Sequence, residues 1–79
     1  MMMKGHNKTA TNRGISAVIW ANIRKFQYVE NMPDEYLAGI LRVSVRSLYN
    51  YDAEPFKVTL EKVQHFMNET GTRIEDLIH

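Results

Sequence analysis

Arg46 and Asn50 stand four residues apart in the stretch SVRSLYNYD, residues 44–52. On a helix, this spacing places both side chains on one face. Arginine can bind the two acceptors of guanine, and asparagine can pair with adenine in the same two-pronged way. Val45 and the ring of Tyr49 offer apolar surface for a thymine methyl group. These four residues can therefore read base pairs, but they are also compatible with a plain solvated face or a patch for a protein partner.

The stretch forms the second of two short predicted helices that have almost nothing between them. Leu37, Ala38 and Leu41 line one face of the first helix by the three-and-four spacing. Ser44 can cap the second helix, which would turn Leu48 and other apolar residues inward. Two helices joined by so short a turn form a helix-turn-helix unit.

A long helix is predicted ahead of this pair. Pro33 ends it and suits the start of the next helix, because proline fixes its own backbone angle. Trp20 flanks the apolar face and is expected at the edge of the core, while Asn22 falls within that face and needs a hydrogen-bond partner. The expected apolar face comprises Ile15, Val18, Ile19, Ile23, Phe26 and Val29.

Two more helices are predicted after the pair. Thr59 is the expected cap of a fourth helix, and Gly71 can take the left-handed conformation that ends it. Thr72 and Glu75 have the spacing of a capping box for a short fifth helix. The expected inner face of the fourth helix comprises Leu60, Val63, Phe66 and Met67, and that of the fifth comprises Ile74 and Leu77. The predicted fold is all-α, a small bundle of about five short helices over residues 15–79.

Residues 1–14 show no periodicity and are predicted to form a flexible basic arm. The first 29 residues contain five basic residues and no acidic ones, although the whole chain has a net charge of only +1. Lys4, Lys8 and Arg13 on this arm are candidates for contacts with a DNA backbone, and a merely solvated tail is the alternative.

Several function classes are excluded by composition. The chain has no cysteine, which removes disulfides, zinc ribbons and thiol nucleophiles. His6, His65 and His79 are too scattered for a metal site, and no loop of the kind that cradles phosphates occurs. The sequence thus predicts no enzyme, no cofactor and no small-molecule ligand. Without a secretion signal or a long apolar run, the expected location is the cytoplasm, with no membrane partner.

The segment from Asp34 to Asp52 resembles the helix-turn-helix of lambda-repressor-like proteins, the phage repressor and Cro type. The likeness extends over about residues 15–79 through the order of the helices. The positions that carry it are Leu37, Ala38, Leu41, Val43, Ser44, Leu48, Tyr51 and Asp52.

The resemblance implies base contacts from Val45, Arg46 and Asn50, with Tyr49 beside them. Arg42 and Ser44 at the turn are candidates for phosphate contacts, and for Arg42 a solvated charge is the alternative. It also implies a sequence-specific transcriptional regulator that binds double-stranded DNA with the helix at residues 44–52. Such a protein is expected to be a symmetric homodimer on a palindromic operator, with its reading helices roughly 34 Å apart. The interface is expected at the C-terminal helix, near Ile78.

Three positions depart from the family pattern. Arg42 stands where the turn usually has glycine, so a left-handed backbone there would be strained. Asp34 stands where a phosphate-contacting glutamine is common, and a carboxylate would repel phosphate. Gln27 stands where an arginine commonly pairs with the closing acid, so any link to Asp52 would be a hydrogen bond. The acidic Asp34–Glu35 pair and the low net charge motivate an alternative, a protein-interaction module on the same fold that does not bind DNA.

Overall fold

The computed structural model describes the backbone of residues 5–79 and the side chains of residues 14–79. Over this range the chain forms α-helices joined by tight turns, with no strand among the described residues. The prediction of a small all-α bundle is confirmed. The helices are α1 (Gly5–Val29), α2 (Asp34–Leu41), α3 (Val45–Ala53), α4 (Leu60–Thr70) and α5 (Ile74–Leu77), and a 3-10 turn (Pro55–Lys57) lies between α3 and α4.

The first helix begins at Gly5, well before the start expected near residue 15. It therefore includes most of the segment predicted as an arm. Lys4 and the side chains of Lys8 and Arg13 lie outside the described residues. None of the described helices combines the length and the apolar character needed to cross a bilayer.

The face that α1 buries differs from the predicted one. Trp20 lies in the core at 3% exposure rather than at its edge, beside the fully buried Ile23. In contrast, Ile15, Val18 and Val29 are exposed. The apolar spacing continues from Ile15 to Val29, but among the described side chains of α1 the buried ones all lie between Trp20 and Gln27.

The hydrophobic core joins residues from all five α-helices. Leu37, Ala38, Leu41 and Leu48 are buried, as the helical spacing predicts. The ring of Phe66 from α4 meets a ring of α1 edge-on, with 5.4 Å between the centroids. The buried hydrophobic set is Trp20, Ile23, Leu37, Ala38, Ile40, Leu41, Leu48, Val63, Phe66 and Leu77.

Three predicted helix ends are confirmed. The Ser44 hydroxyl accepts a hydrogen bond from the Ser47 backbone N–H at 3.2 Å, which caps α3. The Thr59 hydroxyl accepts one from the Lys62 N–H at 3.3 Å at the start of α4. Gly71 ends α4 with φ of 74°, a conformation that glycine adopts without steric cost.

The start of α5 and the first turn of α4 correct the sequence analysis. Asp76 accepts a hydrogen bond from the Arg73 N–H at 3.2 Å, so the capping contact lies one residue later than the predicted Thr72–Glu75 box. The Thr72 hydroxyl instead contacts another hydroxyl at 2.7 Å. Leu60 is 79% exposed, because burial on α4 starts one turn later.

The last helix is fixed to α1 by a polar contact as well as by its buried leucine. The Asn22 amide nitrogen donates to the backbone oxygen of Leu77 at 2.8 Å. This contact gives Asn22 the hydrogen-bond partner that its place on the inner face of α1 requires.

Candidate nucleic-acid interface

The turn between α2 and α3 consists of three residues, and its first residue is in the left-handed region. Arg42 has φ of 62° and ψ of 46°, so the strained conformation is adopted rather than avoided. Its N–H donates to the Gly39 carbonyl at 3.2 Å, and the N–H of Val43 donates to the Ala38 carbonyl at 3.0 Å. These two hydrogen bonds satisfy carbonyls that the end of α2 would otherwise leave unpaired. The tight turn carries α3 directly back across α2.

Two of the four predicted base-reading residues are exposed and unpaired within the described part of the chain. Arg46 and Asn50 lie one helical turn apart on the outer face of α3. Neither side chain has a hydrogen-bond or salt-bridge partner among residues 14–79. Their donors and acceptors are therefore available to another molecule.

The other two predicted base-reading residues are more constrained. Val45 is half-buried and packs against the core, so the expectation that it points away from the body is wrong. It is the first residue of α3, immediately after the tight turn, and the body of the protein lies against it. Tyr49 is 54% exposed, but its hydroxyl donates to Asp34 Oδ2 at 3.0 Å. The contribution of either residue to base contact stays a prediction.

The predicted phosphate-contacting residues of the turn are exposed. Arg42 and Ser44 flank the half-buried Val43. The Ser44 hydroxyl holds the cap of α3 and also contacts the Ser47 hydroxyl at 3.1 Å. Arg42 has no salt-bridge partner among residues 14–79. The arm residues Lys4, Lys8 and Arg13 cannot be placed relative to this surface, because their side chains lie outside the described residues.

A network of charged groups fixes α3 against α1 and α2. Arg24 binds Asp52, the acid near the end of α3, through two hydrogen bonds: Nε to Oδ1 at 3.0 Å and Nη2 to Oδ2 at 2.7 Å. Its remaining nitrogen lies 3.0 Å from Asp34 Oδ1 at the start of α2. The Trp20 indole N–H also donates to Asp52 Oδ1, at 2.7 Å. One guanidinium thus joins three helices, with the planar two-pronged geometry that arginine and carboxylate favour.

Gln27 has a different role from the one its sequence position suggests. It forms no link to Asp52. Its amide nitrogen instead donates to Asp34 Oδ1 at 2.7 Å and to the Met32 carbonyl at 3.1 Å, and its amide oxygen accepts from Arg24 at 2.6 Å. The cation that pairs with Asp52 is Arg24, which lies about one helical turn before Gln27. Gln27 holds the Arg24 guanidinium in place by accepting a hydrogen bond from it.

The network shifts the pKa values of its members in the directions that its contacts require. Hydrogen bonds from Gln27, Tyr49 and Arg24 hold the pKa of the Asp34 carboxyl below its usual range. The Arg24 guanidinium does the same for the pKa of Asp52. The contact with the Asp34 carboxylate raises the pKa of the Tyr49 hydroxyl. Both carboxylates are therefore charged at neutral pH, and Arg24 partly offsets their charge.

Arg24 is the site residue that the sequence analysis missed, although a signal for it was present. Trp20, Arg24 and Gln27 recur at intervals of four and three, which places all three on one face of α1. Two polar residues in line with a buried tryptophan indicate a buried or partly buried polar network. The network's partners, Asp34 and Asp52, are distant in sequence and gave no such signal.

Among the described residues, no three histidine, cysteine, aspartate or glutamate side chains are grouped so that they could hold a metal ion. Comparison of the chain with protein-family models, with curated proteins and with solved structures found no significant match in any of the three.

Proposed function

We propose that the protein is a sequence-specific DNA-binding regulator of transcription that places α3 in the major groove. The observation that carries this proposal is the pair Arg46 and Asn50. Both are exposed one turn apart on the second helix of a tightly connected pair, and neither is engaged within residues 14–79. Their hydrogen-bonding groups match guanine and adenine, respectively. We propose the cytoplasm as its location, as the sequence predicts.

The orientation of α3 supports the proposal because a reading helix must be held rigidly. Arg24 and Trp20 both hold Asp52, and Tyr49 ties α3 to α2 through Asp34. These contacts leave the Arg46 and Asn50 side chains on a face whose position is set by three helices. The helix α3 then needs little further ordering when DNA binds, and a small loss of conformational entropy favours affinity.

The charge at the start of α2 is compatible with a nearby phosphate backbone. Asp34 accepts hydrogen bonds from three donors, among them Arg24 at 3.0 Å. Its negative charge is thereby partly offset, whereas Arg42 and Arg46 at the turn and on α3 are exposed cations without partners among residues 14–79. The acidic residue therefore does not by itself exclude DNA from this surface.

A homodimer on a palindromic operator completes the proposal. Ile15, Val18 and Ile78 are exposed around one groove of about 400 Å³ that no charged side chain of residues 14–79 lines. A second copy of the chain would cover these side chains through a symmetric contact. This places the proposed dimer interface at the C-terminal end of the chain and the outer face of α1.

The decisive experiment measures binding to random-sequence DNA and to a selected-site library at two salt concentrations. We expect salt-sensitive binding that enriches a palindrome, because neutralised phosphates release counterions. Arg46→Ala should relax the sequence preference at one position of each half-site. Arg73→Ala is the matched control, since it removes an exposed arginine outside the helix pair and should leave the preference intact. Folded protein that binds no DNA at either salt concentration would contradict the proposal.

A second candidate is a protein-interaction module that uses the same fold without DNA. The observation that favours it is the charge of the described body: residues 14–79 contain nine acidic and seven basic residues. DNA-binding domains are usually more basic. If the folded protein binds no DNA in the experiment above, this candidate is favoured.

A further inference from the structure

A groove with an apolar floor and an acidic rim lies between the α1–α2 connection and the end of α4. Its volume is about 380 Å³, and we call it the Tyr36 groove after its most prominent side chain. Tyr36 is 60% exposed, while Ile40 beside it is almost completely buried. The groove is lined mainly by Phe26, Glu30, Met32, Tyr36, Ile40 and Glu69.

The charge around the groove has one sign. Glu30 and Glu69 line it, and none of the basic side chains described by the structure does. A smaller depression of about 290 Å³ continues from it along α2 and is lined by Glu35 and Arg42 as well. None of the three glutamates has a salt-bridge partner among residues 14–79. Cations are thus favoured in this groove, and DNA phosphate is repelled from it.

The exposed ring in the groove adds to the preference for a cation. Lysine and arginine are attracted to the face of a tyrosine ring by its electron distribution. Tyr36 lines the groove together with Glu30 and Glu69, and it lines the adjoining depression together with Glu35. An aliphatic or aromatic side chain can in turn fill the apolar floor beside Ile40. The groove therefore matches a segment that combines positive charge with one apolar side chain.

A glycine in α2 leaves room for another chain to come close. Gly39 lies in the interior of α2 and borders the depression. A Cβ atom built on it would meet nothing within 4 Å, so the fold itself does not require glycine there. Glycine inside a helix reduces stability relative to alanine, and one use of it is the close approach of a second backbone.

We propose that the Tyr36 groove binds a basic segment of a partner protein. Lysine or arginine side chains of the segment contact Glu30, Glu69 and the Tyr36 ring, and an apolar side chain enters the floor. The backbone of the segment passes over Gly39. This interaction uses a surface distinct from the exposed face of α3, so it does not depend on whether the protein binds DNA.

The test begins with selection of short random peptides displayed on phage against the full-length chain. Selected peptides should be rich in lysine and arginine around an apolar residue. The same peptides should perturb the amide resonances of Met32, Tyr36 and Gly39 in the labelled protein. Selection that yields no basic peptides, or perturbations confined to other surfaces, would overturn the proposal.

Variants then separate a specific site from general attraction to an acidic protein. Glu30→Gln combined with Glu69→Gln should weaken peptide binding about fivefold or more, as expected for the loss of two exposed ion pairs. The matched control, Glu61→Gln combined with Glu75→Gln, removes the same charge from exposed positions outside the groove. Equal losses for the two pairs would show that no defined site exists.

Two further measurements identify the occupant. Gly39→Ala should weaken peptide binding more than binding to DNA, because the peptide backbone passes over Gly39 itself, whereas the predicted phosphate contact nearby is made by the Arg42 side chain. If the protein instead self-associates without peptide, and the Glu30 and Glu69 variant abolishes that association, the occupant is a second copy of the chain and the proposal of a foreign partner is overturned.

Discussion

Arg24 and Asp52 face each other with two parallel hydrogen bonds, across 28 residues of sequence, and the pair joins the C-terminal part of α1 to the end of α3. Both side chains retain contact with water, at 24% and 44% exposure. The interaction is therefore intermediate between an exposed salt bridge and a buried one, and it is reinforced by the indole of Trp20. Its role is to set the position of α3 as much as to stabilise the fold.

Replacing Arg24 tests the importance of this pair. Arg24→Leu should lower the free energy of unfolding by about 1–2 kcal/mol, between the values for exposed and buried ion pairs, because two carboxylates lose their partner. Denaturation by urea measures the change. Lys57→Ala, which removes the exposed pair with Glu54, is the control and should cost at most about 0.5 kcal/mol. Equal effects of the two variants would contradict the structural role of Arg24.

The strained turn residue allows stability and DNA binding to be separated. Arg42→Gly and Arg42→Ala both remove the positive charge, but only glycine removes the strain of the left-handed conformation. The glycine variant should be more stable than the alanine variant by about 1 kcal/mol. If Arg42 contacts phosphate, both variants should bind DNA equally weakly. Thermal denaturation and DNA titration at low salt give the two readouts, and equal stability of the variants would show that the turn rearranges.

Gly39 and Gly71 both have open space around them, but they should respond to alanine in opposite directions. Gly39→Ala should raise the free energy of unfolding by about 0.5–1 kcal/mol, because alanine is the better helix former. Gly71→Ala should lower it by about 1 kcal/mol, since φ of 74° is unfavourable for a residue with a Cβ atom. Urea denaturation of both variants measures the two changes in the free energy of unfolding. A destabilising Gly39→Ala would mean that the interior of α2 is not a regular helix.

Stability should fall in acid because of the carboxylates in the network. The pKa of Asp52 is lowered by Arg24, and that of Asp34 is lowered by Gln27, Tyr49 and Arg24. The folded state therefore binds these protons less readily than the unfolded state, whose aspartates titrate at about pH 3.9. Their stabilising effect is complete above that pH and is lost as the pH falls through the folded-state pKa values. The free energy of unfolding should be measured from pH 6 downward, a starting pH that lies about two units above the unfolded-state pKa. This series should show the loss, and Asp52→Asn should make the pH dependence shallower.

At alkaline pH, the dependence of stability on pH should have the opposite sign. The pKa of Tyr49 is raised by Asp34, so the folded state holds the phenol proton more tightly than the unfolded state does. The stabilising effect is present below the unfolded value of about 10 and is lost as the pH rises through the folded pKa. Tyr49→Phe should remove this part of the dependence and should also make the acid side shallower, because the Tyr49 hydroxyl is one of the donors that lower the pKa of Asp34. A Tyr49→Phe profile identical to that of the wild type would show that the hydroxyl does not pair with Asp34 in solution.

A charge-conserving change tests how α3 would read DNA. Arg46→Lys keeps the positive charge but cannot grip two acceptors of guanine with a planar fork. Binding to random DNA should stay within about twofold, whereas discrimination at one base pair should fall by about 1–3 kcal/mol. Competition between selected and mutated sites measures the difference. Unchanged discrimination would remove Arg46 from the proposed base contacts.

The features that could be predicted from the sequence depend on local chemistry. The buried face of α2 follows from the spacing of its apolar residues, and the Ser44 and Thr59 caps follow from a hydroxyl at the start of an apolar pattern. Even local patterns can be ambiguous, however. Two acidic residues at the start of α5 could each cap the helix, and the structure caps it with Asp76 rather than with Glu75.

The features that were missed depend on contacts between distant parts of the chain. Val45 packs inward because of where the turn places it against the core, which spacing along one helix does not specify. Ile15 and Val29 continue the apolar pattern of α1, but no other helix is long enough to cover them. Arg24 acquires its role only when two aspartates from different helices meet it.

The single tryptophan of the chain gives the arrangement of α1 and α3 an optical signature. Trp20 is almost wholly buried, its indole N–H is held by Asp52, and the ring of Tyr51 lies edge-on at 5.2 Å between the centroids. All of these neighbours outside α1 belong to α3. Movement of α3 away from the body would expose the indole to water and shift its emission to longer wavelength, so the fluorescence of the unlabelled protein reports whether α3 is packed against α1.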